Sequence, residues 1–255
     1  MKIIISPAKS LNFDNSLQFK NSSECIFLSD SEKFIKKIKK LSSKKIGALM
    51  SISSELSQLN YERYQSWSLP FTKENSNHAL AVFTGEVYRG INAADFSEKE
   101  LSLAQNKLRI ISGLYGLLKP KDLIQPYRLE MGTRFAVTPK TKNLYQFWGS
   151  KITDALNEEL AEDDGVLINL ASNEYFKAIK SKDIKGRIIT CSFKDAKNGE
   201  YKMIMTFAKQ ARGYMTRFII KNNLKQVEEI KAFDDNGYVF SPKMSSENEF
   251  TFTRG

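Results

Sequence analysis

The amino-acid sequence predicts a mixed α/β (α+β) fold, and three observations carry that expectation. Short β-branched or apolar runs recur at residues 2–6, 108–112 and 166–170. Between them lie segments whose apolar residues repeat at helical spacing. No low-complexity linker, repeat or compositional break divides the 255 residues, so residues 1–255 are expected to form a single compact domain around a mixed sheet.

The elements follow in order. Ile3, Ile4 and Ile5 make an opening strand over residues 2–6, and Pro7 ends it in a turn through Ala8, Lys9 and Ser10. Residues 31–41 place Phe34, Ile35, Ile38 and Leu41 on one helical face, with lysines opposite. A short helix at 44–50 precedes a third at about 54–67, whose Leu56, Leu59, Tyr61 and Tyr64 fall largely on one side. Residues 78–84 read as a buried strand, and Gly85 and Gly90 bracket a turn-like segment. Ser97 and Glu100 have capping-box spacing and start a helix to about Asn106. The strand at 108–112 leads into a stretch rich in Gly, Pro and Tyr. Residues 148–160 read as helix, 166–170 as strand and 172–179 as helix. Residues 187–193 and 201–207 read as two strands joined by a loop containing Asn198-Gly199, followed by a helix at 209–221 and short edge strands at 237–240 and 250–252.

Composition narrows the function classes. Lys plus Arg number 39 against 29 Asp plus Glu, a formal charge of +10 that points to a polyanionic partner such as nucleic acid. The apolar run at the start stops at Ser6-Pro7, too short for a signal peptide or a membrane span, so the protein is expected in the cytoplasm with no membrane partner. Cys25 and Cys191 form no CxxC pair, which argues against a disulfide framework or a cysteine zinc site. His78 is the only histidine, which removes multi-histidine metal sites and an ordinary Ser-His-Asp triad. No cofactor, no metal and no obligate protein partner are expected, and the chain is expected to be a monomer.

The charge is clustered. From Lys33 to Lys45 there are seven lysines and no acidic residue, a pattern that also fits a solvated helix face. The string Leu49-Met50-Ser51-Ile52-Ser53-Ser54-Glu55-Leu56 joins two short helices and resembles a helix-hairpin-helix spanning about 43–67. In such hairpins small residues let backbone N–H groups reach a phosphate at a helix amino terminus. Ser51 and Ser53 stand where glycine is usual. Lys44, Lys45, Ser51, Ser53 and Ser54 are the candidate phosphate contacts. A second acid-free stretch carries Lys202, Lys209, Arg212, Arg217 and Lys221, of which Lys209, Arg212 and Arg217 can share a helix face. Glu158, Glu159, Glu162, Asp163 and Asp164 form an opposing acidic patch.

Several segments combine polar and aromatic residues more densely than packing requires. A pocket of Lys9, Tyr127, Arg128, Glu130, Asn169, Ser172, Glu174, Tyr175, Lys209 and Arg212 would place phosphate-binding cations beside a general base, Glu130 or Glu174, and a stacking tyrosine. Lys9, Glu130, Glu174 and Tyr175 are the catalytic candidates if the protein is an enzyme. The same residues also fit a structural hydrogen-bond network. Gly113-Leu114-Tyr115-Gly116 is not a P-loop, and its glycines fit tight turns.

Taken together, Ile5 to Lys9, the block from Ser112 to Pro120 continuing to Tyr127-Arg128-Leu129-Glu130-Met131-Gly132, Leu144 to Gly149, Asn169 to Phe176, and Lys209 to Gly213 with Arg217 to Ile220 resemble the YaaA family, associated with bacterial peroxide stress, along nearly the full chain. That resemblance implies an α/β domain with a positively charged cleft and a helix-hairpin-helix element. It implies a DNA-binding protein acting on duplex or branched DNA without sequence specificity and supporting DNA repair and iron homeostasis, and it brings no catalytic activity. The chain has no iron-ligand cluster of its own. The alternative is an enzyme acting on a nucleotide, nucleobase or damaged nucleic-acid end.

Overall fold

The computed structural model describes all residues 1–255. In chain order the elements are β1 (Lys2–Ile5), β2 (Ser10–Leu11), α1 (Leu28–Ile38), α2 (Ser43–Met50), α3 (Ser54–Ser66), β3 (Asn77–His78), α4 (Ala79–Val82), β4 (Phe83–Thr84), α5 (Glu86–Ile91), α6 (Glu98–Lys107), β5 (Leu108–Ser112), β6 (Gly116–Leu118), β7 (Leu123–Ile124), α7 (Leu144–Trp148), α8 (Lys151–Ala161), β8 (Val166–Leu170), α9 (Asn173–Phe176), β9 (Arg187–Lys197), β10 (Glu200–Lys202), α10 (Met205–Lys221), β11 (Val239–Phe240) and β12 (Glu249–Arg254).

The main sheet has the order β11-β12-β9-β8-β1-β5-β6, with β10 paired to β9. Strands β5, β1, β8, β9 and β12 run parallel, whereas β6, β10 and β11 pair antiparallel, so the sheet is mixed as expected. Ile3, Ile4 and Ile5 of β1 are fully buried, as a strand flanked on both sides by parallel neighbours requires. They join a cluster of 63 buried apolar residues that runs from Met1 to Phe252. From β1 the chain proceeds to β5 on one side, and from β8 it proceeds to β9 on the other. The carboxyl ends of β1 and β8 therefore sit side by side where the following segments diverge, the switch point at which open parallel sheets form a crevice.

The capping box forms at Ser97 and Glu100, and β5 and β8 occupy the expected residues. Several expectations are corrected. Residues 78–84 are two short strands around one helical turn, because the buried run Ala79 to Val82 satisfies either period. The segment expected as a turn between Gly85 and Gly90 is helix α5, and Gly90 lies within it. Gly85 (φ 113°) begins it, and Gly90 lies against Gly213 where α5 crosses α10; a Cβ at Gly213 would sit 2.8 Å from the Gly90 Cα. Helix α3 buries Ser57, Asn60 and Tyr64, while Leu56 and Leu59 are exposed, because Ser57 packs where Gly47 of α2 leaves no room for a side chain. The helix expected at 148–160 breaks at Gly149 (φ 54°). The one at 172–179 is a single turn, α9, and the helix expected at 31–41 starts and ends three residues earlier.

The Asn198-Gly199 hairpin forms, with both residues at positive φ, but its second strand stops at Lys202 and α10 begins at Met205. Strand β12 is interior, between β9 and β11, because Phe250 and Phe252 belong to the core. Three of the five acidic residues of the patch are taken up by ion pairs within the chain. Asp163 and Asp164 hold the amino group of Met1, and Glu159 holds Arg109 and Lys119. No helix is long and apolar enough to cross a membrane.

Candidate functional site

The segments leaving β1 and β8 are tied together at the switch point. The Ser6 hydroxyl accepts a hydrogen bond from the Ser172 backbone N–H (2.9 Å) and donates to the Ser172 hydroxyl (3.2 Å), while Tyr88 donates to the Ser6 carbonyl (3.1 Å). Outside these strand ends opens a crevice of about 610 Å³. Its walls come from the β1 loop with Lys9, the start of α5 with Glu86 and Tyr88, α9 with Glu174 and Tyr175, and α10 with Lys209 and Arg212. Met203 and Met205, just before and at the start of α10, form an exposed thioether rim.

Lys9, Arg128 and Glu130 form one ionic chain: Lys9 Nζ lies 2.7 Å and Arg128 Nη2 3.0 Å from different oxygens of Glu130. Glu174 accepts the Gly132 backbone N–H at Oε1 (2.8 Å), and its Oε2 makes no hydrogen bond within the protein. It also lines a second cavity of about 520 Å³ with Ser51, Glu130, Gly132, Thr133 and Arg134. Glu174 thus connects the crevice to the α2–α3 turn. Burial raises the Tyr175 hydroxyl above the usual tyrosine range, reinforced by the charges of Tyr127, Glu174 and Glu130, so Tyr175 stays protonated and acts as a donor rather than a base. Tyr127 is buried behind the site, 2.6 Å from the Ser112 hydroxyl, and burial likewise raises it.

Other residues of the expected pocket are structural. Asn169 bonds Thr190 (3.2 Å) and the Ala171 N–H (3.1 Å) within the sheet. Arg217 does not join Lys209 and Arg212. It grips Asp95 through two nitrogens at 2.6 and 2.7 Å and caps the carbonyls of Ile91 and Asn92, which spends its charge on joining α10 to α5. The lone histidine, His78, packs edge-on against Phe19, and burial, aided by Lys121, lowers its pKa.

The hairpin-like segment is built from caps. Ser42 accepts the Lys45 N–H at the start of α2, and Ser53 accepts the Leu56 N–H at the start of α3. Ser51 closes α2 at φ 52°, ψ 54°, the left-handed conformation that explains a glycine preference there. Ser54 begins α3, followed by Glu55, an acidic residue in the first turn that opposes an anion at that end. Of the seven lysines from 33 to 45, Lys33 and Lys36 pair with carboxylates, and Lys37 and Lys39 reach backbone carbonyls. Lys40, Lys44 and Lys45 are exposed and have no such partner. Lys44 and Lys45 lie in the first turn of α2, which contains no acidic residue.

Sequence reasoning missed Ser6, Glu86, Tyr88, Arg134 and the two methionines as site residues. Ser6-Pro7 at the end of a β-branched run was the one local signal; the others reach the site only through tertiary packing. No group of three or more His, Cys, Asp or Glu side chains gathers to hold a metal ion.

The fold and site define an α/β protein with a charged crevice at the switch point of its parallel strands. The profile of the family described as peroxide stress protein YaaA matches residues 1–244, and the chain belongs to that family. Similar proteins include UPF0246 proteins of Saccharophagus degradans, 51% identical over 255 residues covering all of this chain and 99% of that one, and of Colwellia psychrerythraea, 50% identical with the same coverage. A UPF0246 protein of Aliivibrio fischeri is 49% identical across all of this chain and 98% of its own. Membership supports a role in the stress response.

Proposed function

We propose that the protein binds duplex or branched DNA without sequence specificity, as a cytoplasmic monomer acting in the peroxide response and supporting DNA repair and iron homeostasis. One observation carries this reading: Lys44 and Lys45 are exposed, without an ion-pair partner, in the first turn at the positive end of α2. Two cations at a helix amino terminus oppose the macrodipole, so they cost stability unless a polyanion uses them. Contacts of this kind address the phosphate backbone and carry no base information.

The test is fluorescence anisotropy of a labelled 5′-hydroxyl duplex at two salt concentrations. With three lysines neutralising phosphates, affinity falls by about 40-fold between 50 and 200 mM salt and is alike for unrelated sequences. Salt-independent binding, or none at 50 mM, overturns the reading. The enzyme alternative is favoured by the free Oε2 of Glu174, which faces cavities holding Lys209 and Arg212 on one side and Arg134 on the other. Turnover of a nucleotide or damaged DNA end that is lost in E174Q would support it.

A further inference from the structure

Five arginines of this protein have a carboxylate partner: Arg89 with Glu86, Arg109 with Glu159, Arg128 with Glu130, Arg217 with Asp95 and Arg254 with Asp195. Arg212 has none. Its Nε is sealed from solvent without a hydrogen-bond partner, and its guanidinium makes no ion pair within the protein. Burial lowers its pKa, and no carboxylate offsets that cost. An unpaired, partly buried cation with a sealed donor is expensive, and the fold retains one on the wall of this crevice.

The surroundings specify the missing anion. Lys209, one turn before Arg212 on α10, lines the same crevice and is also unpaired. The carboxylates on these walls form no ion pair with either cation: Glu86 is held by Arg89 and Gln210, and Glu174 accepts the Gly132 N–H at one oxygen and leaves the other free. A guanidinium and an ammonium together match a phosphate dianion better than a single carboxylate. The Ser6 and Ser172 hydroxyls line the floor, and the thioethers of Met203 and Met205 offer a polarizable apolar surface at the rim. A volume of about 610 Å³ is of the size that encloses a small organic ligand.

We propose that Arg212 and Lys209 hold the 5′-phosphate of a nucleotide whose nucleoside lies in the crevice against Met203 and Met205. The nucleoside part of this assignment rests on the nucleic-acid reading above; the anion requirement stands without it. The same chemistry has two sources, a free nucleoside monophosphate and the 5′-phosphorylated end of a DNA strand.

Isothermal titration of the full chain with deoxyadenosine 5′-monophosphate and with deoxyadenosine tests the assignment. Binding of the monophosphate at least tenfold tighter, reduced at least tenfold by both R212Q and the surface variant K209Q while both retain cooperative unfolding, supports it. Equal binding of the two ligands, no binding of either without a 5′-phosphate preference in DNA, or full affinity in K209Q and a folded R212Q overturns it. A single-stranded 12-mer compared with and without its 5′-phosphate separates the sources: a tenfold preference for the phosphorylated strand assigns the strand end, and monophosphate binding without that preference assigns the free nucleotide. Failure of the DNA reading is seen separately, as loss of 5′-hydroxyl duplex binding while monophosphate binding persists.

Discussion

Replacing Lys44 and Lys45 together by glutamate is expected to raise stability and lower DNA affinity in the same protein. Both lysines stand in the first turn of α2, at the second and third helical positions, with no acidic residue beside them. A helix amino terminus behaves as about half a positive charge, and a charge in its first turn changes stability by about 0.3–1 kcal/mol. K44E/K45E removes two unfavourable interactions and adds two favourable ones. Allowing for solvent screening at these exposed positions, the gain is about 1–2 kcal/mol, which for a domain of this size raises Tm by about 2–8 °C. The gain shrinks in 1 M salt, where screening acts within about 3 Å. Loss of two phosphate contacts lowers the slope of log K against log salt by about 1.8 and weakens all duplexes alike. Differential scanning fluorimetry and anisotropy on one preparation read both effects. A fall in Tm refutes the dipole argument, and an unchanged duplex affinity refutes the interface.

Three further outcomes follow from the packing and the buried groups. In G213A the new methyl meets the Val87 carbonyl, the Gly90 Cα at 2.8 Å and the Ile91 N at 3.0 Å, all of them backbone atoms. Overpacking of about 1–3 kcal/mol outweighs the roughly 1 kcal/mol of helix propensity gained, so thermal denaturation should show a lower Tm, and an equal or higher one refutes the tight crossing. Burial pushes the Asp122 carboxyl up to about 6 against the stabilising hydrogen bonds from Ser23 and the Lys119 N–H. The native state therefore binds more protons there, and stability from this group is present below about pH 4 and lost as pH rises to about 6. The wild-type minus D122N unfolding free energy should fall by about 2–3 kcal/mol across that window, and a flat difference in urea titrations refutes the shift. Burial raises Cys25 and pushes Cys191 up to about 12, so Ellman's reagent should label neither thiol faster than the protein unfolds.

The sheet was legible wherever an apolar run had β-branched residues and a clear stop, as in β1, β5 and β8. It was illegible where burial removed the period. Ala79 to Val82 offers no polar residue to distinguish a helical turn from a strand, and Leu56 and Leu59 misled because α3 packs through Ser57 on a glycine. Gly90 looked like a turn because a glycine's role in a helix crossing depends on a partner, Gly213, more than a hundred residues away. The site was half legible. Lys9, Glu130, Glu174, Tyr175, Lys209 and Arg212 do come together around adjoining cavities. Arg217 shares a helix with two of them but answers to Asp95, a pairing across 122 residues that helical spacing cannot reveal.

The thioether rim has a consequence for a chain of a peroxide-stress family. Oxidants attack sulfur that they can reach, and here the thiols are enclosed while Met205 is 60% and Met203 45% exposed. The sulfur open to an oxidant is therefore that of the crevice mouth and of Met244, 37% exposed, where each added oxygen would turn a greasy contact into a dipole. Such a mark is erasable by methionine sulfoxide reduction, so the molecule can be altered at its opening and restored without being refolded.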